Sequence, residues 1–309
     1  MEINVHYVEQ SKMKKEPVNL LACGDIHAEK NNPQFRIDDY WGTCQNKLVW
    51  IVDKANKCNA RILVAGDLFN TSRVTPDVTN VVMAILQEAI HIPYVVAGQH
   101  DLRYHTSMEK TPIFTLALAG TVRIIQGVYK NFTGAGFEEY IPTSKNEFLI
   151  THTCITEKEP PFFLPDAISA KEFMKKYSMY KYIISGDYHP PHHTNTRLGR
   201  HLINVGTMVR NKKDMKDHVP VVWLINPRNN VVGTIEVPHE PFDKVFDVEG
   251  IAYQEEHGIQ IDTSRLRELM EAGSESVSLD DIVWNLYNTT SEKLSKDLIK
   301  EVLAYANKD

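Results

Sequence analysis

The chain has no run of about 18 uninterrupted apolar residues, the length that a membrane-spanning helix requires, which argues against such a span. Its first residues, MEINVHYVEQSKMKKEP, have no apolar middle of the kind that a secretory signal carries, so a cytoplasmic protein is expected. Cysteine is scarce: Cys23, Cys44, Cys58 and Cys154 are scattered and none forms a CxxC pair. That argues against a disulfide framework or a cysteine zinc site and leaves buried thiols as the expectation. There is no excess of positive charge either, with 34 Lys and Arg against 40 Asp and Glu, a net charge of -6. That argues against coating a polyanion by bulk charge, and any nucleic acid would need a local basic surface, metals or a partner. Internal repeats and low-complexity runs are absent too.

What is there is a soluble composition, 42% hydrophobic and 24% charged, on 309 residues. This length fits one large domain with a small appendix. The most informative stretch is Leu20 to His27, LLACGDIH, an apolar run that stops at a glycine and delivers Asp25 and His27 one residue apart. Alternate strand residues point the same way, so a carboxylate and an imidazole can turn toward one point beyond the strand end. Such a pair suits a divalent cation, although Gly-Asp alone is equally a turn signal.

The same grammar recurs. Arg61 to Ala65 runs into Gly66-Asp67, and Pro93 to Ala97 into Gly98-Gln99-His100-Asp101. Phe148 to Thr151 ends at His152, and Tyr182 to Ser185 in Gly186-Asp187-Tyr188-His189. Parallel strands carry their sites at their carboxyl ends, and five such endings in order point to one shared site.

Between these strands, apolar residues from Ile37 to Ala55 recur at helical spacing, and Thr75-Pro76-Asp77 opens a second helix. Thr111-Pro112 opens a third, closed by Gly120. Strand, helix, strand, helix, strand demands parallel pairing. The short alternating runs from Val128 to Ile150 predict antiparallel strands, so mixed sheets are expected. A helix over Lys171 to Tyr177 and a hairpin of Val219 to Ile225 with Val231 to Val237 follow. His192 and His193, after Pro190-Pro191, read as loop residues. Residues 1–238 form the expected main domain and 239–309 a helical appendix, with helical segments around Leu266 to Met270, Ser278 to Tyr287 and Thr289 to Tyr305. Its apolar stripes would pack on the main domain or on another protein.

Together, Asp25-x-His27, Gly66-Asp67, Gly98-Gln99-His100-Asp101, His152 and Gly186-Asp187-Tyr188-His189 resemble the calcineurin-like metallophosphoesterase superfamily, over residues 18 to 210. The resemblance implies a layered α/β fold, two mixed β-sheets sandwiched between helices, with a small C-terminal helical appendix. It implies two divalent cations, Mn2+ or Mg2+, and a water activated by the pair. Asp25, His27 and His189 would hold the first cation, Asp67 would bridge both, and Gln99, His152 and Asp187 would hold the second. His100 would stabilise the transition state or protonate the leaving oxygen, with Asp101 orienting its imidazole. The family usually has Asn at the position of Gln99 and His at that of Asp187. Both departures fall on the second cation, which is therefore expected to be bound more weakly, and the added oxygen favours harder ions over zinc.

The segment Asn204 to Arg210 and the long first helix also look like the SbcD-type nuclease subunit of double-strand-break repair complexes. That likeness implies a manganese-dependent DNA exonuclease or endonuclease acting on DNA ends with an SbcC-type coiled-coil ATPase, in a possible homodimer, with Arg210, Lys212 and Lys213 candidates for the DNA backbone. Two other readings stay open: a phosphoesterase for nucleotides or phosphoproteins with no ATPase partner, and a non-catalytic DNA-end-binding subunit with an impaired second metal site.

Overall fold

A computed structural model describes residues 18–162 and 164–257. The chain divides into two compact units after Asp247. The sequence reading put this division at 238; α5 (below) belongs instead with the first unit, where Phe246 is buried and the Asp247 N–H donates to the Phe35 carbonyl. Of the second unit, one helix (Val248–His257) is described, and the helical segments expected beyond residue 258 lie outside the described residues. Among the described residues no helix is long and apolar enough to cross a membrane.

The first unit opens with β1 (Asn19–Cys23), α1 (Tyr40–Lys57), β2 (Ala60–Ala65), α2 (Pro76–Gln87), β3 (Tyr94–Val96), α3 (Pro112–Leu118) and β4 (Arg123–Ile124). It continues with β5 (Gly127–Tyr129), β6 (Phe132–Ala135), β7 (Phe148–His152), β8 (Ile155–Thr156), β9 (Ile168–Ser169), α4 (Ala170–Lys176) and β10 (Tyr182–Gly186). It closes with β11 (His192–Asn195), β12 (His201–Asn204), β13 (Val221–Asn226), β14 (Val231–Glu236) and α5 (Phe242–Val245). One six-stranded sheet has the order β14-β13-β1-β2-β3-β4, and a second β11-β12-β10-β7-β6-β5. Both are mixed, as expected: β1, β2, β3 and β4 run parallel, and β13 joins β1 antiparallel.

Period-two alternation builds the layers. Leu21, Cys23, Ile62 and Val64 face the helical layer, where Leu48, Ile51, Val52 and Ala55 of α1 meet Val78, Val82 and Leu86 of α2. Their neighbours Leu20, Ala22, Leu63 and Ala65 face the second sheet and pack on Phe148, Ile150, Tyr182, Ile184 and Ile203. On the far side of that sheet Leu149, Ile183 and Leu202 receive Phe173 and Met174 of α4. Strands covered on both faces read as continuous apolar runs. The result is helix, sheet, sheet, helix.

Helix α1 starts at Tyr40, later than the apolar pattern suggested, because Asp39 caps it by accepting from the Gly42 N–H at 2.9 Å. Ile37 lies outside the helix and is exposed. The run Val128 to Ile150 is antiparallel only between β5 and β6; β6 and β7 pair in parallel because residues 136–147 carry the chain back to the starting end. His192 and His193 are strand residues paired with Asn204 and Ile203, not loop residues as expected. His192 Nε2 lies 2.9 Å from the Ile155 carbonyl and His193 Nε2 lies 3.0 Å from His201 Nδ1.

Ile184 sits between the sheets, fully buried. Ile184→Ala is expected to lower the unfolding free energy by about 2–5 kcal/mol in urea titration, the cost of a large-to-small core change.

Candidate metal centre

Every motif glycine or strand end noted in the sequence emerges on the same side of the paired sheets. The loops after β1 and β2 are zipped together: the Asp25 N–H donates to the Gly66 carbonyl (3.1 Å), and the Ile26 and His27 N–H groups to the Asp67 carbonyl (2.9 and 3.0 Å). Asp25, His27, Asp67 and Asp187 all have positive φ, at 48°, 49°, 48° and 82°. Non-glycine residues rarely adopt this backbone unless the surroundings enforce it, and such strain gathers at functional sites. Two of the glycines are there for clearance. A Cβ at Gly66 would strike the His152 ring, and one at Gly98 the Asp67 carboxylate.

The side chains converge in three overlapping groups: Asp25, His27 and His189; Asp25, Asp67 and His152; and His27, Asp67 and His100. Within each group the candidate ligand atoms lie within 4.8 Å of one another. Both ring nitrogens of His27 and Oδ2 of Asp67 are buried without a hydrogen-bond partner. Buried polar atoms are normally satisfied, so donors left bare in a cluster of carboxylates and imidazoles fit a cation that supplies the missing partner.

The electrostatics agree. Burial, opposed by His152 and then reinforced by Asp67 and Asp187, pushes the Asp25 carboxyl up to about 8. Burial likewise takes His27 down to about 3 and, with help from Lys212, His189 down to about 4, keeping both imidazoles in the neutral form that a metal requires. His152 is driven the other way: burial opposes its charge, but Asp67, Asp25 and Asp187 lift it to about 10. Its Nδ1 faces the Ala65 carbonyl at 2.6 Å and its Nε2 faces Gln99 Oε1 at 2.6 Å.

Gln99 is the unusual member. Its Oε1 meets His152 and its Nε2 donates to Asp187 Oδ1 at 3.1 Å, so one amide ties together the three side chains expected to hold a second cation. The Asp187 N–H in turn donates to the Asp25 carboxylate at 3.2 and 3.3 Å. The first group has bare donors, whereas the second satisfies itself internally.

His100 borders the cluster rather than closing it. Its N–H donates to Asp67 Oδ1 at 2.9 Å and its ring is only partly buried. Nδ1 lies 2.9 Å from the Asn70 carbonyl, which leaves Nε2 directed inward, 4.0 Å from Asp67 Oδ2. The expectation that Asp101 orients this imidazole is corrected: the group that does so is the Asn70 carbonyl. Asp101 is instead buried and accepts from the N–H groups of Gly98 (3.0 Å), Phe69 (3.0 Å) and Leu68 (3.3 Å), pinning the loop after β3 to the loop after β2. A carboxylate next to a histidine looks like its partner in sequence, and only the turn reveals otherwise.

Arg210 is also corrected. It is buried, donating from Nε to the His218 carbonyl (2.9 Å) and from NH1 to the Glu240 carbonyl (2.7 Å), so it braces loops and does not face a ligand. Lys212 lines the cleft above the cluster, and Lys213 is exposed outside that lining. Three supports escaped the sequence reading. Asn70 acts through a backbone carbonyl, which has no sequence signature. Asn204 donates to the Tyr188 and Pro190 carbonyls and so shapes the turn carrying His189. Thr207 Oγ1 donates to the Asp25 carbonyl at 2.8 Å. All four free thiols are accounted for, with Cys23 and Cys44 buried and Cys58 and Cys154 partly so.

With this arrangement in view, the calcineurin-like phosphoesterase family matches residues 18–191, more than half of the chain. The chain belongs to that family. Its members are metal-dependent phosphoesterases with a dinuclear centre, and the groups above supply candidate ligands for one. Similar solved structures include protein TT1561 of Thermus thermophilus, 13% identical over 72% of this chain and 100% of that one, with a TM-score of 0.47. A dimetal phosphatase from Danio rerio is 11% identical over 72% of this chain and 100% of that one, with a TM-score of 0.48. A Vps29 variant from Entamoeba histolytica is 13% identical over 72% of this chain and 99% of that one, with a TM-score of 0.35. No curated protein matches the sequence.

Two outcomes test this geometry. Asp101→Asn turns an amide N–H against backbone donors, and is expected to cost about 1–3 kcal/mol of stability whether or not metal is present, measured by chemical denaturation with and without a chelator. Gln99→Asn, which shortens the amide away from His152 and Asp187, is expected to raise the number of tightly held Mn2+ equivalents per chain in calorimetric titration; an unchanged number would show that Gln99 does not limit the second position.

Proposed function

We propose that the chain is a DNA nuclease subunit, a metal-dependent phosphodiesterase that cuts DNA ends and works with a coiled-coil ATPase. What supports this above all is scale. The cluster lies on one wall of a cleft of about 1820 Å³, which runs from Asn31 and Pro33 past the site to Val219 and Thr234. Pockets for small ligands hold about 300–1,000 Å³. A cleft this long accommodates a polymer lying across the site.

Asp25, His27 and His189 would hold one cation and Gln99, His152 and Asp187 another, with Asp67 shared between them. Two such cations supply charge neutralisation at the phosphoryl oxygens and an activated water. The oxygen-rich second set favours Mn2+ or Mg2+ over zinc. The chain's own contribution to bond breaking is His100. Asn70 holds its Nδ1, so Nε2 faces the reacting group. As water adds to phosphorus and the P–O bond breaks, the leaving oxygen takes its proton from Nε2. Asp101, by fixing the loop, sets where His100 stands. Lys212 adds one positive charge at the rim. Support for the ATPase partner comes from the likeness of the Asn204 to Arg210 segment to the SbcD type and from the helical spacing of apolar residues in the sequence of 239–309.

One observation favours a second reading. The cleft wall carries Glu29, Glu138, Glu139, Asp166, Asp214 and Asp217 against Lys176 and Lys212. An acidic wall repels a long polyanion more than it does a nucleotide or another small phosphoester, and a phosphoesterase needing no ATPase would suit it.

The deciding experiment incubates the purified chain with Mn2+ and end-labelled single-stranded or duplex DNA beside bis(p-nitrophenyl) phosphate. DNA shortening that drops about a hundredfold or more in His100→Ala supports the nuclease. Cleavage of the small ester alone supports the second reading, and equal cutting of DNA by both proteins refutes the role given to His100.

A further inference from the structure

The loop that follows the Gly98 to Asp101 motif is folded in an unusual way. The Arg103 N–H donates to the Ser107 carbonyl at 2.7 Å, and the Ser107 and Thr106 N–H groups return bonds to the Arg103 carbonyl at 3.0 and 3.2 Å. This closed turn holds Tyr104 and His105 at its tip with φ of 54° and 56°, a backbone that an aromatic residue adopts only under constraint. Tyr104 is 71% exposed. A large aromatic held out in water at this energetic cost needs a reason.

Two guanidiniums stand beside it. Arg103 lies 5.1 Å and Arg73 5.8 Å from the ring centre, and both donate to the Tyr104 hydroxyl, at 3.5 and 3.4 Å. Both cations lie over the ring and reach its hydroxyl, while the residue as a whole stays largely exposed. Among the described residues no carboxylate pairs with either guanidinium, and Arg103 Nε is buried without a partner. Arg73 comes from the loop after Asp67, three residues past the Asn70 that holds His100, and Arg103 from the loop carrying His100 itself. The next tip residue, His105, meets Phe137 edge-on at 6.2 Å, and Phe137 lines the cleft. Through this contact the tip adjoins the lining of the cleft that holds His100.

We propose that Tyr104, Arg73 and Arg103 form a docking platform for a single nucleic-acid strand, with a base stacking on the Tyr104 ring and the adjoining phosphate on the two guanidiniums. Stacking aromatics interleaved with arginine are the chemistry of sequence-tolerant strand binding. The platform rests on the nuclease reading above and attaches the strand to the loop that carries His100. It also bears on the charge problem, because it puts two cations beside a cleft whose charged lining is mainly acidic.

The test uses the full chain, a fluorescein-labelled oligothymidylate and bis(p-nitrophenyl) phosphate. The variants are Tyr104→Asn, since Asn tolerates a left-handed backbone, and the double change Arg73→Gln with Arg103→Gln. In chelator, anisotropy should show Tyr104→Asn binding the oligonucleotide between about fivefold and a hundredfold more weakly. The arginine pair should reduce the slope of log affinity against log salt by about 1.4, the share of two phosphates on a single strand. With Mn2+, cleavage of the oligonucleotide should fall through KM while hydrolysis of the small ester stays at the wild-type rate. Variants that bind and cut the oligonucleotide like wild type would overturn the platform and leave the nuclease reading standing. Parallel loss of small-ester hydrolysis would also overturn it, by placing these residues in the integrity of the site. A wild-type chain that hydrolyses the small ester but neither binds nor cuts the oligonucleotide would overturn both.

Discussion

Three carboxylates and two imidazoles are buried together at the strand ends, and the protein does not neutralise them by itself. Asp25, Asp67 and Asp101 are at most 1% exposed, and burial raises the cost of each charge. His152 compensates Asp67, but burial leaves Asp25 at about 8 and Asp101 at about 7, while His27 keeps two bare nitrogens. Such a cluster is stable only because neighbouring loops hold it. The bonds from Asp25, Ile26 and His27 to Gly66 and Asp67, the three N–H groups on Asp101, and Thr207 on the Asp25 carbonyl all serve that end. A divalent cation would convert the same repulsion into attraction, so the geometry of a binding site is present here as stored electrostatic cost.

The layers explain why this cost can be carried. Strands β1, β2, β7 and β10 are buried on both faces, and each ends in a site residue, or at or just before the glycine that leads to one. The sheets are rigid where they meet, through Leu63 and Ala65 against Ile150 and Ile184. Residues whose backbone is left-handed can be held there because the strand before each of them cannot move. Clearance follows the same logic: Gly66 gives up its side chain so that His152, from the other sheet, can reach Asp67.

Much of this could be read from residues alone. The five strand endings, the alternation of strand and helix and the mixed character of the sheets follow from apolar runs and turn residues, because both faces of each strand are covered. What could not be read is directional. Asp101 is three residues from Gly98 and one from His100, and nothing in that spacing tells whether its carboxylate turns to the ring or to the backbone of the neighbouring loop. Arg210 carries a charge that suggests a phosphate, yet two carbonyls from sequentially remote loops bury it. Asn70 acts through a carbonyl, which every residue has. His192 and His193 follow two prolines, and only pairing with β12 reveals a strand. Pattern reports periodicity and residue type, while partners set by long-range packing have no local signature.

Gln99 sets the two groups of candidate ligands apart. The longer amide reaches both His152 Nε2 and Asp187 Oδ1, and in doing so satisfies the donors that a second cation would need. His152 must then give up a proton that Asp67, Asp25 and Asp187 hold to about pH 10, and the amide must turn away from its two partners. At the first position His27 and His189 are already neutral and His27 is unpartnered, so no amide need turn away there, and the proton to be lost is that of Asp25, held to about 8. The two positions therefore differ in the work required to fill them. That difference follows from the hydrogen bonds that Gln99 makes to His152 and Asp187.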